Sequence, residues 1–406
     1  MLNLRSNEPL WLSTTPQLSA YPVLHEDITT EIVVVGGGIS GALAAYELIN
    51  RGCKVTLVTA GHIGTGSTCA STALLQYEID TPLVKLINKI GQENATKSYL
   101  QCYESIDDLK QIHKTIGIPN AFQAKKSLLL ASKKDDVKDL EIEYTARQNI
   151  GLRVKWLDDN IVKDKFGFNS PAAIYSDKAG QTDAYIFTQK LIEWCVDKGM
   201  QVFDQTGIVD VISEKRSTHL QTDQGYVIKA KYVVMATGYD SVKWINKNVA
   251  RLHSTYAITS KPFDKREKLW KDKCLIWETA RPYSYMRVTK DNRVVIGGKD
   301  ETFSSAIKRD KLLNSKAKQL QATLSKYFPH LRFDVDYKWA GTFADTADGL
   351  PFIGGIPAMP RVYFSLGFGG NGITFSQIAS KIIADAITNR SNNISKIFSF
   401  ERLNFK

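Results

Sequence analysis

The stretch 31–60 constrains this 406-residue chain more than any other. Residues 32–35 are apolar at every position, the pattern of a strand buried on both faces of a parallel sheet. Gly36, Gly38 and Gly41 follow at G-x-G-x-x-G spacing, then a helical run from Ala42, a capping Gly52 and a second apolar run at 55–58. Gly36 serves the tight turn, Gly38 lets backbone approach a pyrophosphate, and Gly41 lets helix and strand pack closely. The amides that open such a helix, with the positive dipole end behind them, favour phosphate. The order strand, turn, helix, cap, strand predicts a dinucleotide site with contacts from Gly36, Gly38, Ile39, Ser40 and Gly41. The acidic residue that holds the adenosine ribose, about 20 positions on, is replaced here by Thr59. Its hydroxyl makes a weaker hydrogen bond than a carboxylate.

The length allows two domains, or one large one with an insertion. No apolar run reaches about 18 residues, so no membrane span is expected. Residues 1–30 carry Glu8, Glu26 and Asp27 and read as a polar lead-in without a signal peptide. The five cysteines are scattered and lack C-x-x-C spacing, which favours reduced thiols in a cytoplasmic protein and no metal site. The net charge of +11 comes mostly from Lys, with no basic stripe. That pattern is a solvated surface and not a nucleic-acid footprint, and it leaves room for attraction of anionic substrates.

Further along, the small-residue stretch holding Gly66, Ser67, Thr68, Ser71 and Thr72 can lie against a flat ligand. Residues 81–117 read as helix, 127–131 as strand, 133–148 as helix and 154–157 as strand. Asp183 opens a further helix, with strands at 201–203 and 232–235. The second of these ends in Ala236-Thr237-Gly238, small residues where a parallel strand meets a ligand crevice. From 252 the pattern changes to short alternating strands, which suit an antiparallel sheet in a second domain. Residues 306–328 form an amphipathic helix with a solvated Lys face. A strand at 362–366 then leads through Gly369, Gly370, Asn371 and Gly372 into a helix from Ile373, a second glycine-rich turn.

Taken together, these segments resemble the D-amino-acid-oxidase-like family of FAD-dependent oxidoreductases, which includes glycine or sarcosine oxidase-like and gamma-glutamylputrescine oxidase-like members. The resemblance rests on the 35–41 turn, on Gly66-Ser67-Thr68, on Ala236-Thr237-Gly238, on Arg293-Val294-Val295-Ile296-Gly297-Gly298, on the stretch from Asp348 to Gly354, and on the 367–372 loop. It implies an α/β fold: a Rossmann-like FAD-binding domain of the GR2 type from residues 1–80, 170–240 and 330–406. A second α+β substrate domain with a mixed or antiparallel sheet would come from 81–169 and 241–329. It also implies FAD contacts from the glycine-turn residues named above, together with Thr59, Ile208 and Ile373. The C-terminal loop offers Asn371 where covalent relatives attach FAD through Cys or His, and Cys69 reads as a buried thiol. Noncovalent FAD is therefore expected.

The implied reaction is oxidation of a small amine or amino acid by hydride transfer to FAD, with oxygen or another acceptor taking the electrons. A 2-hydroxy acid or glycerol-phosphate dehydrogenase, and a noncatalytic flavin-binding subunit, remain alternatives. Tyr283, Tyr285 and Arg287 alternate on one strand and so share a face. Arg287, which can grip a carboxylate with two hydrogen bonds, and Tyr285 are the first substrate-site candidates. Tyr256 is a third.

Overall fold

The strand Ile28–Val35 lies inside an eight-stranded sheet, parallel to Val55–Val58 on one side and Val227–Met235 on the other, in a computed structural model that describes residues 3–245 and 249–403. Gln201–Phe203 and Met359–Leu366 extend it in parallel at the two sides. Ile32 and Val34 face one apolar core, Val33 and Val35 another. Both faces being covered, the strand reads as an unbroken apolar run. The helices Ile39–Asn50, Ala184–Asp197 and Gly372–Ile387 supply the first of these cores, through Leu43, Leu191 and Ile378 among others.

A second, ten-stranded sheet carries the alternating strands. Its order runs Arg5–Ser6, Val335–Asp345, Arg251–Ser260, Val294–Glu301, Ser284–Val288, Leu275–Glu278, Gln123–Leu130, Ala172–Gln181 and Leu74–Leu75, with Val154–Asp158 paired to Ala172–Gln181. Helix Ala306–Tyr327 seals one face with Leu313, Leu320 and Leu324. The other face looks toward the first sheet and the cavity described below.

Strands at 5–6, 74–75, 172–181 and 335–345 join the second sheet, although they fall in segments assigned to the FAD domain. Strand membership is decided by pairing with distant partners, which a local pattern does not carry. The expected helix 81–117 is two helices, Leu83–Ile90 and Gln92–Thr115, broken at Gly91 (φ +83°), a backbone angle that glycine adopts without strain. Pairing between Arg251–Ser260 and Val294–Glu301 also slips. Tyr256 faces Gly298 and Ser254 faces Glu301, so Lys299 and Asp300 together stand opposite Thr255. This is a β-bulge, with Lys299 at φ +58°.

Candidate active site

A cavity of about 550 Å³ runs from the Gly36–Gly41 turn to the face of the ten-stranded sheet opposite helix Ala306–Tyr327. Its volume is in the range of ordinary ligand sites. Every cofactor-contact candidate named from the sequence lines it except Gly41. Gly41 acts one layer back: a Cβ there would lie 1.9 Å from the Gly36 carbonyl oxygen, so the glycine sets how closely helix and strand approach. Gly36 itself has φ +118°, and a Cβ on it would strike the Ala236 carbonyl at 2.4 Å. Gly38 differs, because the nearest atom to its Cβ position is Thr68 Oγ1 at 3.0 Å. Its missing side chain leaves room facing the cavity.

Beyond this turn, Thr59, Ala60, Gly61 and His62 continue the wall, joined by Thr206 to Val209 and Asp223. His62 faces Asp204 at 3.2 Å and Asp223 accepts the Gly207 amide at 3.2 Å. Asp223 gave no sequence signal, since it arrives from a turn far along the chain. Thr59 stands where the second strand ends, as its position in the sequence implies.

The opposite end is built by side chains from several strands. Trp277, Tyr283 and Tyr285 form a wall of three rings, edge-to-face at 6.0 Å and tilted at 5.8 Å. Tyr285 fits because Gly297 lies beneath it; a Cβ there would come within 2.5 Å of the ring. Asp80 accepts hydrogen bonds from Tyr283 Oη and from the Gly370 amide, both at 2.7 Å. The C-terminal glycine loop is thereby tied to the substrate-side wall, and a Cβ at Gly369 would meet the Asp80 carboxylate at 2.7 Å. Thr255, Phe343 and Asp300 complete this end. Burial, opposed by the Thr255 hydroxyl and reinforced by Asp80, pushes the Asp300 carboxyl up to about 6. Burial raises the Tyr285 phenol to about 12 and lifts Tyr283 well above the ordinary phenol range, so both stay protonated at neutral pH.

Two sequence candidates do not reach this cavity. Arg287 shares the strand face of Tyr285, but it is 1% exposed and donates to the carbonyls of Thr182 (3.0 Å) and Ala73 (3.3 Å). Trp11, from the short helix Leu10–Thr14, lies over its guanidinium at 4.9 Å. The alternation was right, but two residues beyond Tyr285 the N-terminal helix covers the face. Burial, against Asp183 and Asp291, lowers the Arg287 pKa to about 9. Arg287 therefore holds the Ala73 segment of the wall from behind. Tyr256 points to the opposite side, into the core beneath helix Ala306–Tyr327. Its neighbour Thr255 takes the cavity position.

The profile of the FAD dependent oxidoreductase (DAO) family matches residues 31–386. The chain belongs to that family. It is thus an FAD-dependent oxidoreductase. The probable oxidoreductase OrdL of Haemophilus influenzae is 23% identical over 92% of this chain and 86% of its own. The glycine oxidase of Geobacillus kaustophilus is 24% identical over 88% of this chain and 92% of its own. In structure, the chain is similar to L-proline dehydrogenase from P. horikoshii, with a TM-score of 0.77 at 20% identity over 94% of this chain and 99% of the other. At that identity the likeness speaks for the fold.

The residues present fit the family's cofactor. Ser67 Oγ is buried on the cavity wall without a hydrogen-bond partner. Side-chain positions at Gly66, Gly238 and Gly372 meet nothing within 4 Å. The helix opened at Ile39 starts at the same space, its Ile39 amide donated to Thr68 Oγ1 at 3.0 Å, so FAD phosphates would be held by the Gly38–Ser40 turn and the remainder by the Ser67–Thr72, Ala236–Gly238 and Gly369–Ile373 segments. Cys69 does not line the cavity; its Sγ donates to the Gly66 carbonyl at 3.1 Å, and burial raises its thiol to about 11. Among the described residues no helix is long and apolar enough to cross a membrane.

Proposed function

We propose that this protein oxidises a small amine or amino acid at a C–N bond with noncovalently held FAD. One observation carries the reading: a single cavity joins a phosphate-binding turn to an aromatic and acidic wall on the second sheet. When bound, FAD supplies the two-electron acceptor. The chain's task is to orient and desolvate the substrate, which is where an oxidase of this kind gains its rate. Trp277, Tyr283 and Tyr285 exclude water from one side, and the Asp80–Gly370 contact fixes the glycine loop against them. Among the described residues no Cys lines the cavity, and Asn371 Nδ2 donates hydrogen bonds to the carbonyls of Gln76 (3.1 Å) and Glu78 (2.9 Å), which supports noncovalent attachment. Five unpaired cysteines are in keeping with a cytoplasmic setting.

The test is acid release of flavin followed by anaerobic mixing of the holoenzyme with amines, amino acids and 2-hydroxy acids. Released FAD and bleaching by an amine or amino acid are expected. Bleaching by hydroxy acids alone would assign a different substrate class. No bleaching by any compound would favour a noncatalytic flavin subunit. Readmitting air then distinguishes oxygen from another acceptor by whether the colour returns.

A further inference from the structure

The nucleotide end of the cavity carries both signs of charge, Lys243 with Asp223 and Asp240, and the His62 ring beyond Thr59. At the aromatic end the charged groups are Glu78, Asp80 and Asp300, with no cation among the described residues. Glu78 is matched by the buried Arg147 at 3.8 Å. Among the described residues the donors to the Asp80 carboxylate are neutral, Tyr283 and the Gly370 amide. Asp300 Oδ1 is shielded from solvent and has no hydrogen-bond partner. The basic side chains that act on Asp300 are already engaged, the His253 ring by Asp345 at 2.9 Å and Lys316 by Glu301. Arg281 does not line the cavity; its guanidinium lies 5.0 Å from the Tyr283 ring centre. It donates to the carbonyls of Ala280 (3.0 Å) and Asp80 (3.1 Å).

The Thr255 hydroxyl acts on Asp300 but leaves Oδ1 shielded and unpaired, and such an oxygen is costly unless something else satisfies it. Here the backbone itself is arranged to present it. The bulge at Lys299 turns Asp300 to the side of Thr255, and bulges of this kind re-aim side chains beside active sites. Three aromatic rings stand at the same end, the surroundings that favour an organic cation. We infer that this end of the cavity binds substrate through a positively charged nitrogen group, held between Asp80, Asp300 and the faces of Trp277, Tyr283 and Tyr285. The substrate class is then a cationic amine, such as a diamine or an N-alkylated amine, and not an acid gripped by its carboxylate. The inference rests on the amine-oxidising flavoenzyme reading and narrows it.

The test compares two probes of similar shape on the purified holoenzyme, benzyltrimethylammonium and benzoate, by calorimetry and by perturbation of the flavin absorbance. The cation should bind at least tenfold more tightly than the anion. Asp300→Asn, at unchanged flavin content, should weaken the cation about tenfold or more, since one charged contact is lost, and should leave benzoate unchanged or tighter. Should Asp300→Asn fail to fold, the preference of the wild-type protein and its variation with pH decide the matter. Tighter binding of benzoate by wild type would overturn the inference while leaving the flavoenzyme reading intact. Undiminished cation binding in a folded Asp300→Asn protein would do the same. A protein that takes up no FAD on titration would overturn the underlying reading, and the inference with it.

Discussion

The two ends of one cavity are made in different ways. The nucleotide end is main chain: amides and bare glycines from contiguous turns, each with a local reason for its residue type. The substrate end is side chain: rings and carboxylates delivered by strands that are distant in sequence and meet only in the ten-stranded sheet. Main-chain recognition tolerates almost any neighbouring side chain but forbids adding one at a glycine. Side-chain recognition is the reverse, and it can be retuned by a single substitution without disturbing the fold.

That contrast can be broken most severely at the glycines. Gly38→Val should abolish FAD binding, a loss of at least 100-fold, while the apo-protein keeps its melting temperature, because the Cβ position is blocked by little except Thr68. Gly41→Ala should lose both, because its Cβ meets the Gly36 carbonyl at 1.9 Å. FAD titration alongside thermal melts separates the two. If Gly38→Val binds FAD normally, the turn does not hold the phosphates.

Arg287→Lys probes the boundary between the two ends. One guanidinium nitrogen, Nη1, satisfies both the Ala73 and Thr182 carbonyls, and the shorter Lys side chain removes it from that position at a cost of roughly 1–3 kcal/mol. Melting temperature and FAD affinity should fall, whereas KM measured at saturating FAD should hold. A sharp rise in KM with stability unchanged would put Arg287 back at the substrate.

Asp300 gives a pH signature at the side-chain end. Its carboxyl is raised to about 6 from an ordinary 3.8, so ionisation is harder in the folded protein. Its contribution to stability is complete below the unfolded value and is lost as pH rises toward 6. Relative to Asp300→Asn, wild type should therefore melt lower above pH 6 than at pH 4, by roughly 2 °C. The groups facing Asp300 are Asp80, Thr255, His253, Lys316, Tyr256, Tyr283 and Tyr285; they are common to both proteins, and the difference isolates Asp300. A difference independent of pH would show that the carboxyl is not held out of water. For the cation probe the same titration has the opposite sense, binding tightening as pH rises through about 6.

The smallest effect is expected from Thr59→Ala, which removes one hydroxyl worth roughly 0.5–1.5 kcal/mol, about twofold to tenfold in FAD affinity. A larger loss, measured by the same titration, would mean that this hydroxyl does the work of the missing carboxylate.

The same contrast explains what the sequence made legible. Both glycine turns, the strands that feed them and the helices behind them follow from residues within a short window, and their cofactor candidates nearly all meet on one wall. The substrate end follows from pairing. Strand Ala172–Gln181 carries no tidy alternation and went unrecognised, and Trp277 and Asp80 gained a role only through partners in other segments. A signal was present at 74–80, where Gln76, Glu78 and Asp80 line the cavity and alternate with buried Leu75, Tyr77 and Ile79. Tyr256 was misread because one residue of parity separates the cavity from the core on a strand buried on both faces.

The bulge at 299–300 carries one more consequence. In regular pairing with Tyr256 opposite Gly298, the residue facing Thr255 would be Lys299, and Asp300 would turn toward helix Ala306–Tyr327. The adjacent pair Lys299-Asp300 therefore stores both polarities, and a backbone count chooses between them. A slip of one residue, with no change in composition, would exchange a carboxylate for an ammonium at the substrate wall. Inserting or deleting one residue in this strand would thus invert the sign of charge that this chain presents beside Thr255, with every side chain kept.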